Sequence, residues 1–350
     1  MGLPELYLSK PGISVPATRV DNAEIVRRVR AQYRGKDADW STVESAIDHM
    51  FALCGTRHRF LEPDEHARVA DYAAAAAQQC LELNGASTDE VDLIIFGGIA
   101  RQYFEPATAM EIATKLGIKR THAFDVTSAC VGHIEAIQTA AAYLALHPNY
   151  RSALICTSEL SGSFLSYDIQ TVQDLSTKFA GLTIGNAAAC MLLRRRPWPG
   201  GGIRLLGIGS QSAPDHWRLC QVPIDGTLVS SSVELMRLRK LIPPILARYL
   251  AEVGWTAADV DHFVFHQPSE SVLRHIVETI GADPGKAVYS HHNYGNTASA
   301  SVGVTFKQLL DERSPKPGDK LVLGSAAAGF SVVVATGEWT QASAGDPRSS

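Results

Sequence analysis

Two stretches of this chain share one plan. LNGASTDEVDLIIFGG, from Leu83 to Gly98, and LAEVGWTAADVDHFVFHQP, from Leu250 to Pro268, each read as a helix end, a Gly stop (Gly85, Gly254), an acidic turn, a Val-Asp pair and a buried apolar strand. The order continues beyond them. A helix spans Ala109 to Gly117 in the first case and Ser269 to Gly281 in the second, and a strand-like piece follows at His122 to Val126 and at Lys286 to Ser290. A tight turn of small residues then opens an Ala-rich helix, TSACVGHIEAIQTAAAYLA (Thr127 to Ala145) and YGNTASASVGVTFKQLL (Tyr294 to Leu310). A repeat of this length predicts an α/β fold of two duplicated βαβ-type halves, residues 1–196 and 197–350, joined near the Pro/Gly-rich RRRPWPGGG of Arg194 to Gly202. It sets Cys130 and Asn296 on corresponding strand-to-helix turns, which face each other if the halves pack about a pseudo-twofold axis. His266 ends the buried strand of the second half, where strand C-termini commonly line a site.

Composition suits a packed enzyme: 350 residues exceed one ordinary domain, 45% are hydrophobic and 19% charged. A net charge of -4 offers phosphate backbones no attraction, and the one basic triplet, Arg194, Arg195 and Arg196, reads as a solvated loop edge before Pro197 and Pro199. Nucleic acid is therefore excluded as a partner. The six cysteines never pair as CxxC, so reduced thiols are expected and a zinc site or disulfide scaffold is not. His291 and His292 adjoin on a segment read as extended, where neighbours point apart, so no metal is expected there either. MGLPELYLSK has no secretory core, and no apolar stretch reaches the ~18 residues that cross a bilayer, so the expected location is the cytoplasm without membrane attachment.

Cys130 lies between the strand-like AFDV and a helix with apolar residues at Val131, Ile134, Ile137 and Leu144. There the positive end of the helix and its unpaired N–H groups favour the thiolate, the nucleophilic form. Taken singly, Cys130 also suits a buried small hydrophobe, His266 a core histidine, and Asn296 a turn or cap residue. Their placement across the repeat raises the chemical reading above those three.

Four segments in order resemble the ketoacyl synthase III branch of the thiolase superfamily: DVTSACVG at its nucleophile turn, VFHQP at its catalytic histidine, GNTASAS at its asparagine motif, and GSAAAGF (Gly324 to Phe330) at its Gly-rich C-terminal loop. The resemblance covers the chain from the helix near Tyr72 to Trp339. It implies the five-layered αβαβα fold, two mixed sheets around a shared buried helix layer. It implies an acyltransferase in which Cys130 accepts the acyl group while His266 and Asn296 support decarboxylation and the enolate. The backbone N–H of Cys130 and one from Ala328-Gly329 would form the oxyanion hole, with Ala328 standing where Gly is usual. No metal or redox cofactor is implied. The substrate is an acyl thioester of coenzyme A or an acyl carrier protein, and the assembly a homodimer with the loop Arg101 to Thr108 near the partner's site, Phe104 there walling an acyl pocket or forming plain surface.

The departures fall at substrate positions. Arg57 matches a family arginine, but His49 and Leu53 stand where a Trp and an Arg commonly hold coenzyme A, and QPSES (Gln267 to Ser271) replaces QAN with its following Arg. Asn186 and Ala187 stand in place of an Asp-Gly pair, a change read as structural. Together these point away from fatty-acid initiation and toward a specialised enzyme of polyketide-like metabolism. The leading expectation is decarboxylative Claisen condensation with a malonyl-type extender. The alternatives are acyl transfer from Cys130 to an alcohol or amine with His266 as general base, and an inactive partner subunit, against which the three retained reactive residues count.

Overall fold

The structure, a computed structural model, describes residues 4–341, so the outer ends of the two halves, at 1 and 350, lie outside the described residues. Strands of the first half are β1 (Tyr7–Leu8), β2 (Gly12–Ser14), β3 (Arg19–Asp21), β4 (His58–Phe60), β5 (Val91–Phe96), β6 (His122–Asp125), β7 (Ser152–Glu159) and β8 (Ala187–Arg194). Those of the second are β9 (Gly202–Ser212), β10 (Cys220–Gln221), β11 (Val229–Ser230), β12 (His262–Phe265), β13 (Lys320–Ala327) and β14 (Ser331–Thr340). Ten of them form one ladder in the order β12-β13-β14-β9-β1-β8-β7-β5-β6, with β2 on β8, while β3–β4 and β10–β11 pair apart.

The duplication is visible in this ladder. Parallel β5–β7 followed by antiparallel β7–β8 repeats as parallel β12–β13 followed by antiparallel β13–β14. The repeated glycines close their helices as expected: Gly85 and Gly254 take φ of 60° and 74°, and Ala86 and Trp255 donate back to Leu81 and Leu250. Two details differ from the sequence reading. The two half-sheets are joined, because Tyr7 in β1 lies opposite both Arg194 in β8 and Arg204 in β9. The piece Lys286 to Ser290 makes only an isolated bridge, Phe263 to Ala287, since a single turn at Pro284–Lys286 precedes it and a helical turn begins at His291.

Packing gives the layers. The helices Gly132–Leu146 and Ser301–Arg313 are lined on several sides by apolar or small residues, and such helices are buried. Ile134 and Ile137 from one, with Val302 and Phe306 from the other, share a core with Ile155 of the first half-sheet and Leu323 of the second. Helices Val69–Asn84 and Thr108–Lys115 cover the outer face of the first half-sheet at Ile94 and Leu154. Helices Ile242–Glu252 and Glu270–Thr279 cover that of the second at Phe263 and Val334. The result is five layers, αβαβα.

The basic triplet is not a solvated edge. Arg194 is buried with its guanidinium 3.6 Å from the Trp198 ring centre, and it donates to the Arg196 and Pro197 carbonyls. Arg195 donates to the Leu144, His147 and Tyr150 carbonyls beyond the end of Gly132–Leu146, and Arg196 pairs with Glu90 at 2.9 Å. Of the three, Arg195 serves orphan carbonyls at a helix end, a role the local sequence does not reveal. Among the described residues no helix is long and apolar enough to cross a membrane.

Candidate active site

The Cys130 turn is fixed from three directions. Upstream, the Asp125 carboxylate at the end of β6 accepts the Thr108 and Ala109 N–H groups at 2.9 and 3.0 Å, anchoring the strand to the helix Thr108–Lys115. Downstream, a Cβ at Gly132 would lie 2.0 Å from the Gly97 carbonyl oxygen, so the glycine of ACVG is what allows the helix start to close on the end of β5. Across the halves, the Cys130 carbonyl accepts the Ser325 hydroxyl of β13 at 2.9 Å. Between them Ala129 takes φ of 46°, a left-handed conformation that an L side chain adopts at a cost of about 1–2 kcal/mol.

The thiol departs from the sequence expectation. Burial foremost, then Cys220 and Glu159, push Cys130 up from the ordinary thiol range, and its own backbone N–H opposes them. The helix end is entered through a single turn, Ala129–Val131, and desolvation of the anion outweighs it.

The second half repeats the turn at Ala298–Ala300, where Ala298 has φ of 45°. Aligning Ala129 with Ala298 puts Ser299 in the place of Cys130 and Asn296 in that of Thr127. Asn296 is held by backbone bonds, donating to Thr183 O at 2.9 Å and accepting from Gly185 N–H at 3.0 Å. Its side-chain Oδ1 accepts the Ala298 N–H at 2.9 Å, which leaves the Nδ2 hydrogens to donate elsewhere.

His266 follows β12, and its N–H donates to Gly324 O, beside Ser325, at 2.8 Å. Its ring is buried with Nδ1 unpartnered. Burial, then His291, lower its pKa to about 3 against an opposing contribution from the Ala298 backbone, so the imidazole is neutral at neutral pH. The ring closes a cavity of ≈ 60 Å³ with Ser325, Phe265, Leu246, Val272 and Ile276. Contacts thus run from Cys130 through Ser325 and Gly324 to His266, and through Ala298 to Asn296. Ala328 and Gly329 lie half-buried in the turn after β13, the strand that carries Ser325 to Cys130, and Gly329 has φ of 92°.

The remaining expected residues lie outside this group. Arg57 and His49 are exposed, and Leu53 is 60% exposed. Phe104 is 81% exposed, with Tyr103 and Met110 about half exposed beside it, so in a single chain its ring faces solvent. His291 and His292 sit on a helical turn instead of an extended segment, and His291 is buried with Nε2 on the Thr56 hydroxyl at 2.5 Å and Nδ1 on the Gln267 carbonyl at 2.8 Å. Gln267 braces the loop through the Phe265 and Val288 carbonyls, and Asn186 accepts from Glu62 N–H and donates to Ser161, which makes both structural. The sequence reading missed Ser325 and Glu159, which touch the two turns, and the buried Arg59, which donates to Asn22 and the Leu182 carbonyl. No local signal marks them, because their partners are distant in the chain.

Residues 250–339 match the family model of the 3-oxoacyl-[acyl-carrier-protein (ACP)] synthase III C terminal region. An acyl-CoA:acyl-CoA alkyltransferase of Xanthomonas campestris pv. campestris is 26% identical over 284 residues, covering 79% of this chain and 84% of that protein. A beta-ketoacyl-[acyl-carrier-protein] synthase III of Lactiplantibacillus plantarum is 24% identical, covering 91% and 94%. In fold the chain is similar to a Xanthomonas campestris OleA variant with bound lauric acid and lauroyl-CoA, with a TM-score of 0.84, 23% identity and coverage of 96% and 100%.

Proposed function

From the chain's membership of the thiolase superfamily, among the ketoacyl synthase III-like condensing enzymes, we propose that it acylates Cys130 and joins that acyl group to a malonyl-type extender by decarboxylative Claisen condensation. The observation that carries this reading is the pairing of a neutral His266 with an Asn296 amide whose oxygen is already engaged. Both then present N–H donors, the requirement for stabilising an enolate oxygen.

In the first step the Cys130 sulfur attacks the donor thioester, its proton passes by way of His266 to the departing thiol, and the Cys130 and Ala328-Gly329 N–H groups hold the oxyanion. In the second the extender loses CO2, and the enolate carbon attacks the acyl-cysteine carbonyl. Its C–S bond breaks, releasing the Cys130 thiolate, which takes a proton. Thiol, imidazole and amide groups supply every step, so no metal or redox cofactor is called for. Acyl transfer to an alcohol or amine fits less well, because it forms no enolate and has less need of the Asn296 amide donor.

The donor is a coenzyme A or carrier-protein thioester. Exposure of His49, Leu53 and Arg57 is consistent with donor contact at the surface, and the departure of His49 and Leu53 from the housekeeping pattern supports a role outside fatty-acid initiation, in polyketide-like metabolism. A homodimer is supported by the exposed Phe104, Tyr103 and Met110 and by β6, which among the described residues pairs in the ladder with β5 alone. Free thiols at all six cysteines support a cytoplasmic site. Intact mass spectrometry after incubation with acyl-CoA and acyl-carrier thioesters tests the reading: wild type gains an acyl adduct, Cys130→Ala does not, and malonyl thioester discharges the adduct with CO2 release. An adduct on Cys130→Ala, or transfer only to alcohols or amines without CO2, overturns it.

A further inference from the structure

Each left-handed turn is held by the strand end of the opposite half. The Cys130 turn receives Ser325 from β13. The Ser299 turn is met by Glu159, the last residue of β7 and, like the Cys130 turn, part of the first half. Glu159 is 2% exposed, and its carboxylate accepts from the Ser299 hydroxyl, from Ile99 N–H at 2.9 Å and from Ala100 N–H at 3.2 Å. Ile99 and Ala100 lead into the loop Arg101 to Thr108, which carries Phe104. Ser299 follows Ala298, whose N–H orients the Asn296 amide. One buried carboxylate therefore ties together two segments that are almost 200 positions apart in sequence, one on the acyl side and one on the enolate side.

A carboxylic acid buried without a cation partner is expensive, and burial pushes Glu159 up while the Ile99, Ser299 and Ala100 donors pull the other way. An apolar residue would fill the space at less cost, but it could not satisfy two backbone N–H groups and a hydroxyl at once.

We propose that Glu159 is a positioning residue that sets the Asn296 turn and the loop after Ala100 in one register, coupling acyl-pocket geometry to the enolate donors. Its kinetic arm rests on the condensing reading above; its structural arm does not. Glu159→Gln keeps the shape but turns an amide NH2 toward one of the three donors. Hydrogen exchange of this variant should rise at residues 99–108 and at 296–300 together, with the rest of the chain unchanged. Alkylation of Cys130 by iodoacetamide should stay within about threefold of wild type, while condensation of preformed acyl-enzyme falls by about 10²-fold, the scale of a misplaced reacting group. Ser299→Ala, which leaves the two backbone bonds, should loosen 296–300 alone and show the same kinetic split. Exchange that rises globally or in one segment only for Glu159→Gln, or equal losses in alkylation and condensation, overturns the proposal. If Glu159→Gln does not fold, Ser299→Ala decides, and wild-type condensation by that variant refutes the coupling. A wild type that never condenses refutes the functional reading, and the exchange pattern then decides on Glu159 alone.

Discussion

Removing the Asn296 amide tests how the two donors divide their work. In the structure Oδ1 is spent on the Ala298 N–H at 2.9 Å, so Nδ2 is the part available to an enolate oxygen. Loss of one preorganised donor in a site shielded from water costs about 10²- to 10³-fold in rate, or about 3–4 kcal/mol of transition-state stabilisation. Asn296→Ala should lose that factor in CO2 release and product formation, yet acylate Cys130 at a rate within about threefold of wild type, since the acylation oxyanion uses other N–H groups. Asn296→Asp sharpens the test. It preserves an acceptor for Ala298 N–H, and hence the turn, but sets a carboxylate against the developing negative charge, so its condensation should be slower than that of Asn296→Ala. The assay loads Cys130 in a single turnover, removes excess donor, adds malonyl thioester and follows CO2 and product. Equal losses in both half-reactions, or an Asp variant more active than the Ala variant, would refute the assignment of Nδ2 as the enolate donor.

Acid should destabilise the protein through its buried histidines. His133 and His266 titrate near 3 and His291 near 4, each lowered foremost by burial from 6.5, so the unfolded chain binds more protons between those values. Their contribution is fully present above pH 6.5 and shrinks as pH falls toward 3–4, by at most about 1.4 kcal/mol per pH unit for each group; urea titrations from pH 7 to about 4.5 should show this slope, and a flat profile would contradict it. Gly132→Ala forces a Cβ to 2.0 Å from the Gly97 carbonyl and should cost about 3 kcal/mol or more in denaturant melts. At Gly85, where an added Cβ meets nothing and only the φ of 60° is at issue, the same change should cost about 1 kcal/mol. Light scattering at micromolar concentration should give a dimer, weakened by Phe104→Asp; a monomeric wild type would remove the basis for that loop's role.

The repeat and its consequences were legible in the residues alone. Gly85 and Gly254 stop equivalent helices, VDLIIF and VDHFVF form equivalent strands, and the turns of Cys130 and Asn296 oppose each other, because helix stops and apolar periodicity are local properties. Tertiary packing supplied the rest. The Cys130 thiol is raised, not lowered, because desolvation depends on what packs around it. Arg195 became a structural ligand of carbonyls that only the folded chain brings near. Ser325 and Glu159, ordinary residues in their own segments, acquire their roles from a crossing of the two halves. Burial and hydrogen-bond partnership are sums over neighbours distant in the chain, and no local pattern of residue types encodes them.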